Sequence, residues 1–244
     1  MGVPRFFQYI KRHHPETVHD THFKQSFPFP IDALYIDANG ILHNVVQDVY
    51  FKKTQRGGST HVRLAKQPQQ QQQDQQHQEQ EQQQQHHSPQ DLSQQVFRKI
   101  TKYIDTLVQF VRPRKELFIA IDGTAPLAKQ SQQRQRRYRS AHDTDEETFS
   151  LFDRNAITPG TPFMHALTTW IEFDIRRRMQ HTPSWSRLVV HFSPCSEPGE
   201  GEHKIINYIR GLPKKQTLRH CMHGLDADLF MLSLSTQLQH FWLL

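Results

Sequence analysis

Cysteine is scarce, with Cys195 and Cys221 the only two in 244 residues. Two thiols cannot build a disulfide framework, and no C-x-x-C pair offers a structural zinc site, so a reduced, intracellular setting is the default. Long apolar runs are also missing. No stretch approaches the roughly 18 apolar residues of a membrane helix, and the N-terminal MGVPRFFQYIKRHHP lacks the apolar block of a signal peptide. The Met-Gly start does not complete a myristoylation pattern either, because Phe6 stands where Ser or Thr is needed. No membrane partner is expected.

Basic residues are absent from one long segment. From Gln67 to Gln95, 17 of 29 positions are glutamine, four are acidic and none is Lys or Arg. Such a segment cannot bury enough apolar surface to offset its ordering entropy, and it reads as a disordered insertion, its His77, His86 and His87 included. Setting it aside leaves 215 residues with 30 basic and 20 acidic side chains. The remainder is therefore more basic than the overall charge of +6, which suits a polyanionic partner without identifying one. The expected organisation is one discontinuous domain, residues 1–66 and 96–244, interrupted by residues 67–95.

Strand and helix patterns alternate through that domain. Pro4 to Arg12 places Phe6, Phe7 and Ile10 at helical spacing behind a proline suited to a first turn. Ala33 to Asp37 (ALYID) is a buried strand ending in a carboxylate, and Asn39-Gly40 reads as a turn. After the insertion, Val96, Ile100, Tyr103, Ile104, Leu107 and Val108 recur with helical period, and Glu116 to Asp122 repeats the strand-then-acid pattern. Helices are predicted over 126–139 and 162–179, a strand over 188–192, a helix opened by PGEGEH, and a fourth strand within LRHCMHGLD. This order predicts a mostly parallel α/β sheet with ligands gathered beyond the carboxyl ends of the strands.

Six carboxylates occupy those ends: Asp37, Asp122, Glu200, Glu202, Asp226 and Asp228. Singly, each also fits a helix cap or a turn, and Glu200 and Glu202 sit where a helix N-terminus favours negative charge. Brought together they would repel one another, so convergence calls for divalent cations. Oxygen donors select hard ions, Mg²⁺ or Mn²⁺, and a pair of them suits in-line phosphodiester hydrolysis. A few residues after Asp122, Lys129, Gln133, Arg136 and Arg137 fall at i, i+4, i+7 and i+8, on one helix face. Generic Arg-rich helices are solvated, but beside a metal cluster this face can grip a terminal phosphate through charge-assisted and forked hydrogen bonds. Such a site cuts from an end.

MGVPRFF, YIDANGILH, AIDGTAPLAKQSQQRQRRYR, ITPGTPFM, PGEGEHKI and HGLDADLFML follow one another in that order. With them the chain resembles the XRN-type 5′-to-3′ exoribonucleases over nearly all of its length outside the glutamine tract. The resemblance implies a PIN/FEN-like nuclease core that hydrolyses RNA with a 5′-monophosphate, releasing nucleoside 5′-monophosphates with two Mg²⁺ or Mn²⁺ ions. By motif, Asp37, Asp122, Glu200, Glu202, Asp226 and Asp228 are implied as catalytic metal ligands. Lys129, Gln133, Arg136 and Arg137 are implied as the 5′-phosphate pocket, and His43 as a base-stacking residue. A cytoplasmic location is the expectation, with nuclear function open.

The family pattern continues past GLDADLFML to a further metal-binding aspartate and to a region supplying an aromatic partner for base stacking; neither lies within these residues. Two other expectations follow: a truncated, catalytically weak or inactive protein that binds RNA 5′ ends, and a FEN-like DNA exonuclease.

Overall fold

The computed structural model describes residues 6–21, 27–51, 89–142, 152–213, 215–224 and 228–244. Most of the glutamine tract lies outside that set. Five parallel strands form one sheet in the order β3-β2-β1-β4-β5. They are β1 (Ala33–Asp37), β2 (Glu116–Ala120), β3 (Val189–Ser193), β4 (His220–His223) and β5 (Phe241–Leu243). Helices α1 (Phe6–His13), α2 (Ala38–Val46), α3 (Pro89–Val111), α4 (Leu127–His142), α5 (Pro162–His181), α6 (Gly201–Gly211) and α7 (Asp228–Ser235) flank or follow the strands, α2 and α7 falling where no helix was predicted. No helix among the described residues is long and apolar enough to cross a membrane.

The period-2 alternation of side chains explains why strands this apolar are buried on both faces. Leu34, Ile36, Leu117, Ile119 and Cys221 point into one core with α2, α3, α5 and Trp185. The intervening Ala33, Tyr35, Phe118, Ala120 and Met222 point into the other, against Ile205, Ile206 and Ile209 of α6 and Leu229 of α7. On α3, Val96, Ile100, Ile104, Leu107 and Val108 form the buried stripe that their spacing predicts, extended by Val111, while Tyr103 is half-buried at its edge.

Three expectations need correction. Asn39-Gly40 is not a turn: both residues lie in the first turn of α2, and Asp37 is the N-cap whose carboxylate accepts from the Asn39 N–H. The aspartate that ends the strand also starts a helix, so the chain reverses without a loop. α3 begins at Pro89, so residues 89–95 of the glutamine-rich segment are helical, with proline tolerated at the first position. A fifth strand, Phe241–Leu243, pairs with β4 in a stretch where no strand was predicted.

The strand order fixes where a ligand can sit. From β1 the chain builds outward through β2 to β3, then returns to the other side of β1 for β4. Crevices form at the carboxyl ends beside such a switch. β1 delivers Asp37 there, and Asp122 follows β2 by two residues.

Candidate active site

Two loops carry the acids, and backbone bonds tie them together. Gly123 N–H donates to Gly199 O at 2.8 Å, and Gly199 N–H donates to Thr124 O at 2.9 Å. A Cβ on Gly123 would lie 1.7 Å from Glu197 O, so only glycine permits this approach, while Gly199 adopts φ +109° to turn the chain into α6. The loop after β2, which holds Asp122, is thus locked to the loop that presents Glu200 and Glu202.

Gly201 is the meeting point. Its N–H, at the start of α6, donates to Asp122 Oδ1 at 2.6 Å. A Cβ placed on Gly201 would fall 2.6 Å from Asp37 Oδ1 and 3.3 Å from Asp122 Oδ1. The carboxylates of Asp37 and Asp122, 85 residues apart in sequence, therefore share one end of the sheet. Asn39 holds the geometry from the other side, its Oδ1 accepting from the Asp122 N–H at 3.1 Å.

Glu200 is the N-cap residue of α6 but makes no side-chain cap hydrogen bond, and Glu202 lies in the first turn. Both are buried, as is Asp37. Capping therefore does not account for Glu200. Its Oε2 instead receives Lys129 Nζ at 2.6 Å and lies 3.6 Å from His203 Nε2. Glu200, Glu202 and His203 each offer a ligand atom within 4.8 Å of the others. His203 was not singled out in the sequence; the signal available was its place in the first turn after E-G-E.

The cationic groups divide in two. Lys129, on α4, is held protonated by its hydrogen bond to Glu200, with further attraction from Glu202 and Asp228 raising its pKa. Asp228, the first residue of α7, is thereby within electrostatic reach of the same lysine. Lys204 donates to Ile121 O and Pro194 O, both at 2.9 Å, bracing the two loops from below; burial lowers its pKa. Gln133 is half-buried on α4. Arg136 and Arg137 belong to the same helix, but their side chains lie outside the described set. Asp226 lies outside the described residues altogether. His43 is exposed on α2, one helical turn beyond Asn39 and on the same face.

The structure thus brings Asp37 and Asp122 together at Gly201 and groups Glu200, Glu202 and His203 at the same end of α6, with Asp228 within electrostatic reach of Lys129. Buried carboxylates of one sign are tolerated only when hydrogen-bonded or paired. The donor set is mainly carboxylate oxygen with one imidazole, which fits hard divalent cations.

Comparison with known proteins places this arrangement. The chain matches the family described as "XRN 5'-3' exonuclease N-terminus" over residues 1–72 and 71–244. It is 37% identical to 5'-3' exoribonuclease 1 of Saccharomyces cerevisiae, 32% to 5'-3' exoribonuclease 1 of Homo sapiens and 34% to 5'-3' exoribonuclease 2 of Arabidopsis thaliana. Each alignment covers 100% of this chain but only 15%, 13% and 25% of those relatives, in that order. The parallel sheet, the acids at its carboxyl end and these matches lead to one conclusion: the chain belongs to the XRN 5'-3' exonuclease N-terminus family.

Proposed function

We propose that this chain forms the nuclease core of a 5′-to-3′ exoribonuclease that hydrolyses RNA bearing a 5′-monophosphate to nucleoside 5′-monophosphates. The observation that carries the reading is the contact between Lys129 of the basic helix and Glu200 of the acidic cluster, 2.6 Å between heavy atoms. It sets a phosphate-binding helix face directly against a carboxylate site.

Asp37, Asp122, Glu200, Glu202, Asp226 and Asp228 are the proposed ligands of two Mg²⁺ or Mn²⁺ ions. When bound, these ions supply an activated water and neutralise charge on the leaving oxygen. The remaining work belongs to the chain itself. Asn39 Oδ1 and the Gly201 N–H fix Asp122 by its backbone and side chain, so the carboxylate is oriented before substrate arrives. Lys129 keeps its proton at Nζ throughout the neutral range, because Glu200 raises its pKa. It can therefore share its donors between Glu200 and a terminal phosphate, with Gln133, Arg136 and Arg137 completing the grip. A pocket sized for one phosphate rejects a cap by bulk and a triphosphate by excess charge. His43, exposed on α2 beyond Asn39, is the proposed platform for the terminal base. The preference for RNA over DNA rests on the family alone, since no residue here visibly reads a 2′-hydroxyl.

The test incubates 5′-monophosphate and 5′-triphosphate RNA with the protein and Mg²⁺, comparing wild type with Asp226→Ala. Selective loss of the monophosphate RNA, abolished by the substitution, is expected. Binding of RNA ends without degradation at any protein level would instead assign a non-catalytic end-binding role, and equal degradation of DNA a FEN-like one.

A further inference from the structure

Helix α4 has a second face that the phosphate pocket does not use. At about 100° per residue, Leu127, Ser131, Arg134 and Tyr138 recur at i, i+4, i+7 and i+11, on the side opposite Lys129 and Arg136. Leu127 is 83% exposed and Tyr138 72% exposed, the two most exposed of the large hydrophobic side chains that the structure describes. Arg134 lies between them and is also exposed. No acidic residue occurs anywhere in the helix, which carries Lys129, Arg134, Arg136, Arg137 and Arg139.

A guanidinium and an aromatic ring at i and i+4 on a helix without acidic residues form the combination that holds single-stranded nucleic acid: a charge for the backbone beside a stacking surface for bases. A peptide partner of acidic character would find the charge but would have little use for a solvent-exposed ring four residues along. We propose that the Leu127–Arg134–Tyr138 stripe of α4 is a second, sequence-independent contact for single-stranded RNA. It engages nucleotides downstream of the end held on the Lys129 face. An α-helix with its side chains is about 10–12 Å across, so a strand crossing over α4 passes from one face to the other within a few nucleotides. The same helix would then read the end of the substrate and retain its body, which is what stepwise degradation from an end requires. This contact rests on the RNA reading proposed above.

The experiment measures fluorescence anisotropy of labelled 5′-monophosphorylated RNA, a trinucleotide and a long unstructured strand, with the intact 244-residue chain in EDTA. Wild type should bind the long strand more tightly than the trinucleotide. Tyr138→Ala should weaken the long strand about tenfold, Tyr138→Phe should retain it, and neither should change trinucleotide binding. Arg134→Gln should lower the magnitude of the salt slope for the long strand by about one. If the Tyr138→Ala and Arg134→Gln proteins bind the long strand as wild type does, this contact is wrong while the pocket assignment stands. If wild type binds neither RNA, both fail together. A wild-type dimer in sedimentation that Tyr138→Ala dissociates, with RNA affinity unchanged, would assign the stripe to a second copy of the chain instead.

Discussion

Lys129 Nζ and Glu200 Oε2 lie 2.6 Å apart, and through that pair the basic face of α4 touches the N-cap of α6. The lysine side chain is 37% exposed and the glutamate 11% exposed, so the pair opens to solvent on the cationic side only. On the proposed reading, a terminal phosphate arriving from that side would meet the ammonium before the carboxylates. Replacing Lys129 with methionine keeps much of the stem but removes the charge. The preference for 5′-monophosphate over 5′-hydroxyl RNA should then fall by about 10- to 100-fold, the value of one charge-assisted hydrogen bond, while the fold survives. Competition binding with the two RNAs checks it.

Gly201 leaves no room for a side chain between Asp37 and Asp122. Gly201→Ala should preserve helical content, since alanine favours a helix more than glycine does. It should nevertheless push both carboxylates aside and reduce Mg²⁺-dependent RNA degradation by about 100-fold or more, as displacements near 1 Å do in positioned sites. Circular dichroism paired with the degradation rate separates the two effects.

Much of this organisation was readable in the sequence because its signals are local and strong. ALYID and ELFIAID are apolar runs closed by an acid, and in a parallel sheet such ends converge. What escaped depended on partners distant in the chain. Asn39-Gly40 has the composition of a turn, and only the Asp37 carboxylate taking the Asn39 N–H makes it a helix start. Asn39 also proves to position Asp122, 83 residues on, which no spacing rule reveals. His203 joins Glu200 and Glu202 only because α6 begins at Gly201 and wraps them in one turn. β5 is three residues long, too short for a period to register.

Away from the site, Arg178 holds two helices together. It bonds Asp174 on its own α5 at 2.5 Å and Asp105 on α3 at 2.8 Å, lies over the Trp185 ring, and Trp185 Nε1 donates to the same Asp105. Arg178 is 13% exposed, and its loss would leave Asp174 to Arg177 alone and Asp105 to the Trp185 and Gln109 donors. Arg178→Ala should destabilise the fold by about 2 kcal/mol, the value of its hydrogen bonds to charged groups that keep other partners, read from the urea midpoint at constant m-value.

Two histidines on β4 tie stability to pH. His220 is fully buried; its Nε2–H donates to Lys215 O, which leaves Nδ1 to accept from the Tyr35 hydroxyl. Burial lowers the pKa of His220 and takes that of His223 down to about 4. In the unfolded chain both would titrate near ~6.5, so the unfolded state gains protons first as pH falls. Their contribution is complete above pH ~6.5 and is lost progressively as pH drops towards 4, by roughly 3 kcal/mol at most for His223. The urea midpoint should fall between pH 7 and pH 5, and His223→Gln should flatten that slope.

The proposal that the acids hold a pair of divalent ions is tested most directly by Mn²⁺ titration under electron paramagnetic resonance. Wild type should take up two Mn²⁺ with a spin-coupled signal, and Asp37→Asn or Asp122→Asn should abolish the coupling while the protein stays folded. Uncoupled or absent Mn²⁺ binding by the wild type, or coupling that survives both substitutions, would contradict the account.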